Sequence, residues 1–155
     1  DIQVTPWVHD ELVVFCAPGH PLANAGRASL QQLQQEVWIL REQGSGTRRT
    51  FENALQPHGV SMTPLLELEH TEAIKRAVES GLGISCISRL ALRDAFRRGS
   101  LAPIEVPELE LGRPFSFIWH RQKFQTRAMQ EFLQLCTALT DGCTRSDKIQ
   151  LPEIP

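Results

Sequence analysis

The stretch Val37-Trp38-Ile39-Leu40-Arg41-Glu42-Gln43-Gly44-Ser45-Gly46-Thr47-Arg48-Arg49-Thr50-Phe51 decides how this chain folds. Its opening run of four apolar residues is long enough for a short strand buried on both faces, as in a parallel sheet. Gly44 and Gly46 then break the run, and Ser45 and Thr47 stand where a helix N-cap belongs. Phe51, Ala54 and Leu55 follow at helical spacing, so the order is strand, tight glycine turn, helix. Such a turn aims backbone N–H groups, hydroxyls and the positive end of a helix dipole at one place, a setting that suits an anion. From these residues alone the turn is either an anion site or simply a well-capped loop. It lacks the Lys-Ser/Thr pair of a Walker loop and the third glycine of a dinucleotide fingerprint. Arg48 and Arg49 add positive charge, although cations in a first helical turn oppose the dipole.

Working outward, Glu11–Ala17 is rich in Leu, Val and Phe and reads as a strand ended by Pro18-Gly19-His20-Pro21. Residues 1–10 read as an incoming connection. Ser29-Leu30-Gln31-Gln32 has the pattern of a capping box before a short helix. On the other side, the helix from Thr47 stops near Pro57 and Gly59, and Pro64–Glu69 reads as a strand. Thr71 caps a helix with Ile74, Ala77 and Val78 inward, closed by Gly81 and Gly83. Ile84–Ser88 is a short buried strand, Ser88 caps a helix ending at Gly99, and 101–106 is extended. After a polar link over 107–114, Phe115–His120 is a strand and Thr126 opens the last helix. The charged stretch 141–155, with two prolines, would be disordered unless something holds it. Alternating strands and helices indicate an α/β fold, a mostly parallel sheet flanked by helices. Ligands of such sheets collect at the carboxyl ends of strands, here 42–47 and 69–71.

The 155 residues allow one domain with a real core, or one domain and an appendage. At 41% hydrophobic and 22% charged the composition is that of a globular protein, with no apolar run of membrane-spanning length, and the charged, Trp-containing start is not expected to be a signal peptide. A net charge of −2 argues against a direct grip on nucleic acid. Cys16, Cys86, Cys136 and Cys143 form no C-x-x-C pair, which suits a reducing, cytoplasmic setting. A Cys86–His70 nucleophile pair is the enzyme alternative, but a cysteine inside Ile84-Ser85-Cys86-Ile87 reads as a core thiol. Cys16 and His20 straddle a Pro-Gly turn with no second pair at ligand spacing, so no metal and no cofactor is expected. Trp38 and Phe51 could wall a pocket or pack in the core.

Several segments together resemble one family. Asp10-Glu11-Leu12-Val13-Val14 followed by Gly19-His20-Pro21-Leu22-Ala23 is similar to a strand and turn of LysR-type transcriptional regulators, and Ser29 to Leu33 to the short helix after it. Arg41-Glu42-x-Gly44-Ser45-Gly46-Thr47-Arg48 resembles a turn in the subgroup regulating sulfur assimilation and carbon fixation. Glu72-Ala73-Ile74 with Val78-x-x-Gly81-Leu82-Gly83-Ile84 resembles the helix–Gly-x-Gly–strand near the end of the effector domain.

The resemblance implies a fold akin to type 2 periplasmic binding proteins, two α/β subdomains with a small effector between them. It implies a chain incomplete at its N-terminal side: residues 1–114 as the second subdomain with crossovers, 115–140 as a returning strand and helix of the first, and 141–155 as a tail. Segment 115–140, without its usual sheet, is expected to pack on a neighbouring copy or on an apolar face of its own subdomain. The implied function is sensing a small anionic metabolite, such as a sulfur oxyanion or a carboxylate, with no catalysis. The effector residues are Ser45, Gly46 and Thr47, with Glu69, His70 and Thr71 at the same sheet edge. The implied assembly is a homodimer or tetramer, the helix from Thr71 having a dimerising role in relatives. DNA is bound only through an absent helix-turn-helix domain. A stand-alone solute-binding module of a transport system is the alternative, and an oligomerising fragment without ligand the third reading.

Overall fold

The computed structural model describes residues 1–150, so residues 151–155 of the expected tail lie outside the described residues. Strand β1 (Ile2–Cys16) is followed by α1 (Pro21–Ala25), α2 (Leu30–Leu33), β2 (Trp38–Arg41), α3 (Gly46–Leu55), β3 (Pro64–Leu68), α4 (Thr71–Glu79), β4 (Ser85–Ser88), α5 (Arg89–Arg98) and β5 (Ala102–Ile104). Strand β6 (Gly112–His120) and helix α6 (Arg127–Leu139) complete the main elements. The chain forms two compact units, one of Leu12–Leu111 and one of Asp1–Glu11 with Gly112 onward.

In the larger unit β2 and β3 pair in parallel. Ile84 joins them to β4, its N–H donating to the Val37 carbonyl (2.8 Å) and its carbonyl accepting from the Ile39 N–H (2.9 Å). The C-terminal part of β1 runs antiparallel between β4 and β5. Strands β2 to β5 therefore share one direction and β1 opposes them. Alternation along the strands separates two cores. Leu12, Val14 and Cys16 face Trp38, Leu40, Ile84 and Cys86 under α1, α2 and α3, whose Leu22, Leu33, Phe51 and Leu55 fill that side. Val13 and Phe15 face Ile39 and Ile87 under α4 and α5, with Ile74, Val78 and Leu92. Helices thus cover both faces of the sheet. Trp38 and Phe51 are core residues, their rings 5.0 Å apart, and the Trp38 indole N–H donates to the Leu33 carbonyl (2.9 Å).

Local chemistry sets the helix ends. Ser29 and Gln32 form the capping box in full. His20 caps α1 through Nδ1, which accepts from the Leu22 N–H (3.2 Å), so its hydrogen sits on Nε2 and points at Glu36 (3.1 Å). Thr71 is not a cap, contrary to its sequence reading. It is the first residue of α4, and His70 occupies the N-cap position with no side-chain cap bond.

The smaller unit overturns the reading of residues 1–10 as a connection. They are the first half of β1 and pair antiparallel with β6 from Ile2↔His120 to Glu11↔Gly112, with a bulge between Pro6 and Val8. Ile2 and Val4 alternate with Gln3 and Thr5 but face the exposed side with Ile118, and Pro6 and the bulge then break the pattern. The polar link also ends early, since β6 begins at Gly112. Segment 115–140, expected on a neighbouring copy or on an apolar face of the second subdomain, finds its strand partner in residues 2–11 of its own chain.

The stretch from Thr144 is held by charge and hydrogen bonding. The His9 N–H donates to the Thr144 carbonyl (2.7 Å), and the buried Asp10 accepts from Ser146 Oγ (2.8 Å) and Arg113 Nε (2.8 Å). Arg145 pairs with Glu11 and Asp147, and its guanidinium is held above its ordinary pKa chiefly by the hydrogen bonds to Asp147.

Gly83 shows how closely β2 and the approach to β4 pack. A Cβ there would lie 2.5 Å from the Val37 carbonyl oxygen, a backbone atom that cannot step aside. Gly83→Ala is therefore expected to destabilise the chain by about 1–3 kcal/mol through overpacking, measured by urea unfolding. An unchanged midpoint would refute the close-packing account.

Candidate functional site

Strands β2 and β3 end side by side, Arg41 opposite Leu68, and α3 and α4 begin just beyond them. Strand β4 runs parallel to β2 and ends at Ser88, whose hydroxyl caps α5 by accepting from the Leu90 N–H (3.2 Å). The connection from β2 leads outward to β3, and the connection from β3 returns across to β4 on the other side of β2. The carboxyl end of β2 is thus a topological switch point, where open α/β sheets form their crevices. The helix starts at Gly46, Thr71 and Arg89 all lie along this sheet edge. Sequence reading found the first two and missed the third. The Ser88 cap was legible, but the placement of β4 beside β2 was not.

The turn is built for its bend. Gly44 has φ +91°, a conformation that disfavours any side chain. Ser45 is the N-cap of α3, its Oγ accepting from the Arg48 N–H at 3.4 Å, and it is only 8% exposed. Gly46 opens the helix on the surface and Thr47 is half-buried. In a first helical turn the backbone N–H groups have no intrahelical acceptor. With the Ser45 oxygen engaged by Arg48, the surface-lying amide of Gly46 and the side of Thr47 form the outward part of the turn.

Arg48 points away from anion binding. It is 7% exposed, and its guanidinium donates to Glu52 (Nε, 2.7 Å), Glu67 (2.9 Å) and the Arg41 carbonyl (3.1 Å). The hydrogen bond to Glu67 leads in raising its pKa, against burial. It ties α3 to β3 and brings no uncompensated charge. Arg41 likewise forms a two-pronged pair with Glu42 (2.8 and 3.0 Å). Those hydrogen bonds lead in holding the Glu42 carboxyl below its ordinary value, and the charge of His70 acts in the same direction. Glu69 and His70 are exposed and Thr71 half-buried. Arg48 is outnumbered by its two carboxylates, and Arg49 and Glu69 are exposed in the same region, so backbone N–H groups act alongside side-chain charges of both signs.

Other candidates for chemistry fall away. Cys86 is 3% exposed within the core, and Cys16 is pushed up to about 11 by burial and then by Glu36, far from thiolate chemistry at neutral pH. Among the described residues no group of His, Cys, Asp and Glu could hold a metal ion, and no helix is long and apolar enough to cross a membrane.

The profile of the LysR substrate binding domain matches residues 1–141. The chain belongs to this family. An uncharacterised HTH-type transcriptional regulator of Escherichia coli K12, YeiE, is 47% identical over 136 residues, which is 88% of this chain and 46% of that protein. The activator CmpR of Synechocystis is 35% identical over 86% of the chain and 44% of its own length. The chain thus spans about half the length of the curated relatives it matches. Those relatives are transcription regulators, not enzymes. Among solved structures, the Synechocystis CcmR regulatory domain in complex with 2-PG matches with a TM-score of 0.81 and 33% identity, over 90% of this chain and 67% of that one. The effector-binding domain of QuiR in complex with shikimate shares the fold, with a TM-score of 0.76 at 20% identity, over 88% of this chain and 64% of that one.

Removing the cap should be felt locally. Ser45→Ala is expected to destabilise the chain by about 1 kcal/mol, and Ser45→Asp to retain most of the stability, as N-cap preferences require. Thermal or urea unfolding of the two variants checks this. Equal losses would show that the Ser45 oxygen does not cap α3. The pH dependence has a sign too. A carboxyl lowered on folding contributes stability above its ordinary value of 4.5 that is lost as pH falls through its folded value. The Arg41–Glu42 pair should therefore remain ionised from neutral pH down past 4.5, with the Glu42 side-chain carbonyl signal in carbon NMR reporting its titration.

Proposed function

We propose that this chain is the effector-sensing part of a LysR-type transcription regulator, and that a small anion docks at the turn 45–47 beside the start of α4 at 69–71. The observation that carries the reading is the register Arg41↔Leu68, which sets the first turns of α3 and α4 next to each other at the switch point. Two positive helix ends, with Arg41 and Arg48 already held by carboxylates, favour a compact anion held by N–H groups and hydroxyls. Gly46, Thr47 and the exposed His70 supply donors, Ser45 shapes the turn, and Glu69 borders it. The 2-PG complex of the CcmR domain, at 33% identity, supports a small ligand in this fold. A sulfur oxyanion or a small carboxylate suits the donors.

Binding acts by population shift. A ligand that fits one arrangement better than another stabilises that arrangement by the difference in affinity. In a homodimer or tetramer of the longer protein, this difference would respace helix-turn-helix domains on DNA. The chain's own net charge of −2 gives it no grip on a phosphate backbone.

Calorimetric titration of the chain with sulfite, sulfate, phosphate and acetate tests the site. At least one is expected to bind saturably, and Thr47→Val to weaken it about tenfold by removing one hydroxyl hydrogen bond, with stability retained because Ser45 is the cap. Saturable binding that is unchanged in Thr47→Val would take the turn out of the site. No binding by any of the four would remove the simple oxyanion reading.

A further inference from the structure

Arg48 is the only arginine buried among the described residues. Burying a guanidinium costs free energy unless its donors are taken up, and here acceptors on three elements take them. Nη1 donates to the Arg41 carbonyl at the end of β2 (3.1 Å) and to Glu67 Oε1 on β3 (2.9 Å), and Nε donates to Glu52 Oε1 within α3 (2.7 Å). The main chain of the same residue adds a tie, its N–H donating to Ser45 Oγ (3.4 Å).

These bonds fix more than their own side chains. The connection from β2 to α3 contains Gly44 and Gly46, which leave its backbone many shapes. The bond to the Arg41 carbonyl closes that connection, joining the last residue of β2 to the first turn of α3. The pair with Glu67 acts across the sheet. Glu67 is the last but one residue of β3, and α4 follows from Thr71, so the start of α3 is bound to the strand that feeds α4. A planar fork with donors at fixed angles can hold such a junction, whereas an ammonium on a flexible stem cannot.

We infer that Arg48 is a positioning residue of the sensing site: by clamping β2, α3 and β3 it sets the spacing between the starts of α3 and α4, and so selects the size of anion that both can hold. The inference rests on the reading of the turn as an anion site, and it gives Arg48 no contact with the anion. It also opposes what charge alone would do. On charge alone, loss of the Glu67 carboxylate would favour an anion and Arg48→Lys would change nothing. If spacing governs, both changes loosen the clamp and weaken binding.

The test uses the whole chain and its variants Arg48→Lys, Glu67→Leu and Glu67→Gln, each kept well below its unfolding temperature. Glu67 is exposed, so its replacement leaves the core intact. Nitrogen–proton correlation spectra follow the amides of Gly46 and Thr47 at one helix start and of Thr71 and Glu72 at the other, and calorimetry measures binding of sulfate and acetate. Arg48→Lys and Glu67→Leu are expected to shift both groups of amide signals and to weaken sulfate about tenfold, roughly the worth of one hydrogen bond. Acetate should lose less, because a single carboxylate engages fewer amides. Glu67→Gln should recover most of the sulfate affinity, its side-chain oxygen accepting from the same Nη1. Signals at either helix start that stay in place in Arg48→Lys, tighter sulfate binding in Glu67→Leu, or a Glu67→Gln that behaves like Glu67→Leu would each overturn the assignment. A wild-type chain that bound neither anion would bring down the site reading itself, and with it the role of Arg48 in selecting anions, even where the amide signals showed the clamp.

Discussion

Two hydrogen bonds from Ile84 to the β2 backbone hold the carboxyl-end edge of the larger unit's sheet together. They are all that joins the β2–β3 pair to the β4–β1–β5 group in backbone pairing among the described residues. Without them β4 would not run beside β2, no connection would reverse across the sheet, and the carboxyl end of β2 would be an ordinary strand end. A residue with no Cβ at position 83 lets the two strands come that close. One backbone contact therefore brings three helix starts to the same sheet edge.

Much of this was legible because it is local. Apolar runs, proline and glycine breaks and capping residues act over a few residues, so the elements from β2 to α5 could be placed within one or two residues of their ends. What could not be read was pairing at a distance. Residues 2–10 meet their partner more than a hundred positions later, and Pro6 with the bulge after it breaks the alternation that marks a strand. The direction of β1 against β4 and β5 was likewise beyond reach. At the turn, the sequence showed that Ser45 could cap and that arginines stood nearby. It could not show that Glu67, on another strand, would consume Arg48.

That last point changes the physical character of the larger unit's edge. The arginines on either side of the turn are engaged by carboxylates, Arg41 by Glu42 and Arg48 by both Glu52 and Glu67. Peptide dipoles then add to the field beside the remaining charges, and dipoles discriminate by position more sharply than a mobile lysine would. Peptide dipoles carry no titratable proton, so their own share of that field does not change with pH.

Homology ends this domain at residue 141, whereas the physics carries it to Asp147. Trimming the polypeptide at the homology boundary would strip a hydroxyl donor from a carboxylate sealed away from water, and would unmoor the amide of His9 as well. Where a family match stops and how far a folded unit's contacts run are separate matters, and here the contacts of a buried aspartate lie beyond the match.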